Sequence, residues 1–392
     1  MIRGGYGLSY FPDKFGATGG TLNTNYPFIT LQQINSPSVY TPIPGMSISD
    51  GIPVAARPDL TKSAVPLVGN ILAFDPNYKY GYFQFWNFMI QRQIAKQIVA
   101  EAAYVGTKGT HLFGNQHANL NQPLPGPGPI TPRRPYYATD LLAGIIYLRD
   151  SSEKSNYHSL QAKLQKRFSS GLFFLTSYTW SKAIDDAATS PDLYRWDLFT
   201  RGPANTDFRH SLTISSLYEL PLGRKKRFGG DMPAPLDAVI GGWQVNGIYT
   251  FRTGLPSTAS LSSGLVAATL NDGWTGRPNQ IFPADLPPDQ RTLGRYFNTA
   301  AFVAPAANSY VYGNAGRNTI RGPNFNNFDF SLFKNFRFAE RFNLQVRSEF
   351  FNAVNHPNYA NPGTSFGTAS FGTITSLTSN MRQIQFGMKL LF

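Results

Sequence analysis

The chain has 392 residues, a formal net charge of +13 and only 15% charged side chains, against roughly 25% in ordinary soluble domains. Aromatics reach 14% and cysteine is absent, which excludes a disulfide framework and any thiolate metal site. No apolar run approaches the roughly 18 residues of a spanning helix, and the start MIRGGYGLSYF lacks the apolar core of a secretory signal.

In chain order the pattern predicts about ten strands. Residues 2–11 give the first, followed by 84–94 (QFWNFMIQRQI) and 98–105 (IVAEAAYV). In YHSLQAKLQKRF, Leu160, Ala162 and Leu164 alternate with Ser159, Gln161, Lys163 and Gln165. Residues 172–182 follow, and then RHSLTISSLYEL sets Leu212, Ile214, Tyr218 and Leu220 against Ser211, Thr213, Ser215 and Glu219. GWQVNGIYTFR opposes Trp243, Val245, Tyr249 and Phe251 to Gln244, Asn246, Thr250 and Arg252. After 327–337, RFNLQVRSEFF opposes Phe342, Leu344, Val346 and Phe350 to Arg341, Asn343, Gln345, Arg347 and Glu349. The chain ends MRQIQFGMKLLF, apolar at Ile384, Phe386, Met388, Leu390 and Phe392.

Period two means one wet and one dry face. The segments run to roughly 10–12 residues, longer than the five or six usual in soluble sheets and matched to the roughly 9–11 that a tilted strand needs to cross a bilayer. The connections sort by parity. Long ones, rich in Pro, Gly, Asn and Ser, occupy about 12–83, 106–156, 183–208, 253–326 and 352–380, and short ones lie between them. Short turns at one end and long loops at the other mark a transmembrane β-barrel, with the long loops extracellular and Phe392 periplasmic. Trp86, Tyr178, Trp180, Trp243 and Tyr249, near strand ends, suit its interfacial belts. The fold class expected is all-β, an antiparallel transmembrane barrel over residues 1–392.

The polar stripes carry Lys163, Arg167, Arg341, Arg347, Glu349 and Lys389 as lumen-facing charges. A lipid-facing Arg or Lys near the midplane costs roughly 2–4 kcal/mol, so the alternation keeps charge off the dry face. In the lumen these residues either pair with protein groups, the reading favoured here, or tune the passage of anions. Enzyme chemistry finds no footing. His111, His117, His158, His210 and His356 lack ligand spacing, and there is no nucleophile elbow or P-loop. Asp185 and Asp186 read as a solvated loop start rather than a calcium site, which needs further converging oxygens. No cofactor is called for. The densest basic run, Arg224 to Arg227, has no recognition helix beside it, so no nucleic acid is expected, and anionic lipid headgroups suit the scattered charge better.

The closing QIQFGMKLLF resembles the carboxyl-terminal assembly signal of outer-membrane barrels: Gln385, Gly387, Leu390 and Phe392 fall on its positions, with Leu390 in a slot often aromatic. SNYHSLQAKLQKRFSSGLFFLTSYTWSKAIDD, DFRHSLTISSLYELPLG, GGWQVNGIYTFRTGLP and EFFNAVNHPNY are similar to the carboxyl-terminal barrel of Oar-like TonB-dependent receptors, from about residue 80 to the end. Such receptors often carry a carboxypeptidase-regulatory-like domain at the amino end. The resemblance implies an outer-membrane location and import of an unidentified solute. Its implied partners are outer-membrane lipid and lipopolysaccharide, the barrel-assembly machinery, and the TonB system, the last only through amino-terminal parts. It also implies about half of a 22-stranded barrel, because plug, signal and regulatory-like domain are not found in these residues. A self-contained small porin and a secreted soluble β-rich adhesin or glycan-binding protein are the other readings.

Overall fold

The computed structural model describes residues 1–11, 25, 43, 45–47, 49, 51, 70–114, 119–140, 144–187, 192–262, 276–306, 309–338 and 342–392. Ten long strands dominate: β1 (Ile2–Phe11), β2 (Gly81–Ala95), β3 (Ile98–Gly114), β4 (Ile146–Ser169), β5 (Leu172–Asp185), β6 (His210–Glu219), β7 (Trp243–Arg252), β8 (Phe325–Phe338), β9 (Phe342–Phe351) and β10 (Gln383–Leu391). Each pairs antiparallel with the next in the chain, so the sheet order is the sequence order. It is one up-and-down layer. Among the described residues β1 pairs only with β2 and β10 only with β9, leaving the barrel unclosed.

Local chemistry explains the hairpins. β4 and β5 join through Ser170 and Gly171, both at positive φ (51° and 78°). That is the two-residue turn whose twist matches a right-handed ribbon. A side chain at Gly171 would meet the Glu219 carbonyl oxygen at 2.8 Å, so glycine is also a packing requirement there. β2 and β3 join through Lys96 and Gln97, the latter at φ 68°. The β6–β7 connection, 220–242, is longer and contains the short helix α1 (Ala234–Ile240), which the sequence pattern does not announce. The residues between β8 and β9, 339–341, fall outside the described set, and Arg341 with them. Both chain ends lie at the short-turn end of the sheet: Ile2 pairs with Ile90, and Leu391 with Asn343.

The register puts the alternation on one continuous surface. Leu390–Leu344–Phe336, Met388–Val346 and Ile384–Phe350–Phe330 lie in line across β8 to β10. Tyr218–Val245–Leu332 does the same from β6 to β8, and Tyr104–Leu160–Trp180 from β3 to β5. Among the described residues nothing covers this face: Tyr6 is 68% exposed, Trp180 52%, Phe386 75% and Met388 72%. Apolar faces that pack against one another in a dry centre, as in a soluble sandwich, are not what this chain forms. On β4 the apolar stretch Leu160 to Leu164 is bounded by His158 at one end and Lys166 at the other. Eight residue steps at about 3.3 Å cover roughly 26 Å along the strand, or about 20 Å of height at a barrel's usual tilt.

Two strands exceed their predicted lengths. β3 continues past 105 to Gly114, and β4 begins at Ile146 rather than near 157. The extra residues lie on the long-loop side, where Ile71–Phe74 adds parallel to Ile146–Arg149. Outside hydrocarbon a strand has no need of alternation, so RDSSEKSN shows no period-two signal. The buried core of the described residues also sits here, in the connections. Ala259, Ala284, Phe297, Ala301, Phe302, Ala315 and Ile320 cluster, and Phe371 stands edge-on to Phe297 and Phe302 at 5.1 and 5.5 Å. Segments expected to be plain loops are a packed cap with three small two-stranded pieces.

Candidate functional site

The polar face gathers most of the charges singled out from sequence. Lys163 lies directly opposite Glu101 on β3 and Ser177 on β5, while Gln91 donates to Glu101 at 3.3 Å. Arg167, on the same face near the short turns, uses its backbone N–H on the Gln97 carbonyl at 2.8 Å. Arg347 stacks its guanidinium 4.9 Å from the Phe333 ring and donates to Gln345 Oε1 at 2.6 Å. Glu349 stands between Ser331 and Gln385, and Lys389 opposes Gln345. Amides fill the space between: Gln345 and Asn343 both donate to Asn335 Oδ1, at 3.0 and 3.3 Å. The surface so built is a partly hydrogen-bonded polar lining that also carries apolar side chains, among them Phe85, Leu175, Leu217, Ile248 and Phe333.

The carboxyl-terminal residues divide by face. Gln385 and Gly387 lie on the polar side opposite Glu349 and Arg347, and Leu390 lies on the apolar side opposite Leu344. Phe392, just past the strand, is 92% exposed. The aromatics singled out from sequence fall on the apolar face, Tyr178 at mid-strand opposite Ala162. Trp86 lies flat over Gly106, where any side chain would clash with its ring, and 6.0 Å from the His158 ring. Tyr104 and Tyr178 bond His158 and His210 through their hydroxyls at 2.7 and 2.8 Å. Those histidines are thereby girdle members.

At the long-loop end, ion pairs knit the cap to the strand tops. Asp185 pairs with Arg317 and Asp186 with Arg201 (2.9 Å), so this acid pair is not a solvated loop start. Asp207, its side chain wholly buried, takes Arg321 and Arg209 as partners and accepts from the Ala183 N–H at 2.7 Å. Asn318 donates to the Pro203 carbonyl at 2.6 Å and to Asn205 at 2.8 Å. Arg277 donates to the carbonyls of Ala315 (3.0 Å) and Phe199 (2.9 Å) and lies over the Phe199 ring. Burial, and then repulsion from Arg317, lowers its guanidinium to about 10, so it stays charged at neutral pH. Burial and the neighbouring Asp192 push the Tyr194 hydroxyl up, keeping it a neutral donor to the Gln122 carbonyl. Sequence reasoning missed this network. Its only local trace is charge at loop ends, as in TDFRH and GRNTIRG.

Among the described residues no group of three His, Asp or Glu converges in a way that would hold a metal. An open cleft of about 550 Å³ lies beside the top of β4, lined by Asp75, Lys79, His111 and Asp150 among others. The arrangement suits non-covalent passage or binding of a polar solute along a lined surface, under a stiff cap.

Residues 1–385 match the model of a family described as the outer membrane beta barrel domain. No curated protein matches the chain. Among solved structures it is similar to the outer membrane transporter YddB from Escherichia coli, at 9% identity over 83% of this chain and 34% of that one, TM-score 0.43. It is also similar to the ferripyoverdine receptor of Pseudomonas aeruginosa, at 10% identity over 80% of this chain and 27% of that one, TM-score 0.41. A third is the FrpB iron transporter from Neisseria meningitidis, at 9% identity over 82% and 33%, TM-score 0.39. The chain thus spans about a third of the length of these structures or less.

Proposed function

The chain belongs to the outer membrane beta barrel domain family, and from that premise we propose that it forms the carboxyl-terminal part of a TonB-dependent receptor-like transporter for an unidentified solute. The observation that carries this reading is the single-layer sheet with an uncovered apolar face and a hydrogen-bonded polar face. Lipid takes the first and an aqueous lumen the second. A soluble adhesin would have to keep Phe386, Met388, Trp180 and Tyr6 in water, an exposed apolar surface far beyond the few hundred Å² ordinary for soluble monomers.

In the proposed orientation the cap is extracellular and the short turns with both chain ends are periplasmic. Lys163, Arg167, Arg347, Glu349 and Lys389 line the lumen, where Arg347 holds Gln345, and Arg341, outside the described residues, is assigned there by the sequence alternation alone. Gln385, Gly387, Leu390 and Phe392 present the last strand to the assembly machinery, which a strand with an open edge can join by pairing. The Oar-like resemblance of the stretches between about residue 80 and the end supports the receptor assignment. TonB contact and energised import belong to a whole receptor.

The test is orientation and lipid dependence together. The chain has no cysteine, so Asp289→Cys in the cap and Lys225→Cys in the β6–β7 connection each give one label site. Expressed in a Gram-negative host, Asp289→Cys should react with an impermeant thiol reagent on intact cells and Lys225→Cys only after outer-membrane disruption. Equal labelling of both on intact cells, or strand formation by the purified chain in buffer without detergent or lipid, would refute the proposal.

A further inference from the structure

The connection 220–242 contains more than a turn requires. Arg224, Lys225, Lys226 and Arg227 are all exposed. Lys226 reaches Glu219 at 3.3 Å and Arg227 lies 5.5 Å from the Phe228 ring, while the side chains of Arg224 and Lys225 have no partner among the described residues. Helix α1 follows, with the sequence APLDAVI. Its one ionisable side chain, Asp237, is spent inside the turn, accepting from the Arg224 N–H at 2.6 Å. The remainder is apolar and open: Leu236 is 46% exposed, Val239 67%, and Phe228 beside it 54%. A seven-residue helix so apolar and so uncovered is out of place in water.

Its end is fastened to the apolar face of the sheet. Lys334 is a lysine in the apolar row of β8, between Leu332 and Phe336. Its ammonium donates to the carbonyls of Val239 (3.1 Å) and Gly241 and lies 5.1 and 5.2 Å from the rings of Trp243 and Phe336. Trp243 Nε1 also donates to the Val239 carbonyl, at 3.0 Å. The cation meets the negative end of the helix, where orphan carbonyls gather. This contact explains how a lysine is tolerated on that face, and it holds the end of α1 against the apolar row. Apolar residues at the rim of the band, flanked by a run of cations, are the pattern of a segment that lies in the headgroup layer.

We propose that the 220–242 connection is a membrane-surface foot: Phe228, Leu236 and Val239 enter the leaflet at the short-turn end, and Arg224 to Arg227 hold the phosphates of anionic phospholipid there. The proposal rests on the reading that the apolar face of the sheet contacts lipid. Each exposed cation near an anionic surface strengthens attachment about fivefold, so the run selects charged over zwitterionic headgroups.

The test uses single cysteines in the full chain, labelled with an environment-sensitive fluorophore and folded into vesicles carrying a shallow nitroxide lipid. Val239→Cys reports the foot and Phe386→Cys the band. With one-fifth phosphatidylglycerol in phosphatidylcholine, the equilibrium between seated and lifted foot, read as quenching of the Val239 label, should shift about 25-fold toward the seated state relative to pure phosphatidylcholine, about fivefold for each of the unpaired Arg224 and Lys225, and fall back near 1 M salt, where screening lengths drop to about 3 Å. Replacing all four cations by glutamine (R224Q, K225Q, K226Q, R227Q) should abolish the rise while leaving quenching at Phe386 unchanged. A Val239 label that stays unquenched beside a quenched Phe386 label overturns the foot and leaves the barrel reading standing. A Val239 response that ignores phosphatidylglycerol and the glutamine variant overturns the phospholipid selectivity. Absence of quenching at both positions overturns the foot together with the membrane reading it rests on.

Discussion

At the residue scale, the cap depends on a few buried ions. Asp207 is fully enclosed, and its charge is tolerable because Arg321, Arg209 and the Ala183 N–H converge on it. Removing one partner leaves a buried charge underserved, the situation in which ion pairs matter most. Arg321→Met should therefore destabilise the cap by about 3 kcal/mol, seen as faster amide exchange and proteolysis across 202–208 and 254–261 with the strands unaffected. Phe392 poses the opposite case. At 92% exposed it makes little contact that stabilises the finished fold. Phe392→Ala should slow assembly in cells while the melting temperature of the assembled protein stays within a degree or two. Unchanged assembly kinetics would count against the signal role.

At the element scale, a strand's two rows do different work. Leu344 sits between Leu390 and Phe336 on the apolar face, whereas its neighbour Gln345 sits between Lys389 and Asn335 on the polar one. Leu344→Arg should cost roughly 2–4 kcal/mol of folding free energy in vesicles, and Gln345→Arg, beside water and amides, well under half of that. Equal folding yields would reverse the assigned faces. Two exceptions to the rows are informative because each has a local remedy. Lys334 is capped by α1, and Lys166 on the apolar face of β4 turns back to the carbonyls of Ser169 (2.8 Å) and Leu172 (2.9 Å) and to the Ser169 hydroxyl (2.7 Å). At these two positions a neighbouring connection supplies the acceptors that a cation on the dry face needs.

At the scale of the whole molecule, ten strands in sequence order form a sheet with two unpaired edges among the described residues. Hydrocarbon offers no hydrogen bonds, so protection should be graded across the sheet. Amide exchange of the chain folded in vesicles should be slowest in β4 to β8 and fastest in β1 and β10. Edge strands as protected as β5 would mean that the edges find each other and close the barrel.

Period two in MRQIQFGMKLLF or YHSLQAKLQKRF is a local property, because successive side chains alternate whatever the strand pairs with. Strand number, the two faces, the sorting of long and short connections and the division of Lys163, Arg347, Glu349 and Lys389 from the dry row were therefore legible before any pairing was known. The upper parts of β3 and β4 were not, since beyond the apolar band no solvent contrast enforces a pattern. Nor were the pairing of Asp185 with Arg317 and of Asp207 with Arg321, each more than a hundred residues away, or the docking of α1 on Lys334. Those arrangements depend on groups that only a tertiary fold brings together, each choosing its partner by reach and burial rather than by position along the chain. The sequence by itself determined which strand residues share an apolar face and which a polar one, because alternation is local, and the tertiary structure decided what packs at the long-loop end and what docks at the short-turn end, because those contacts join distant segments.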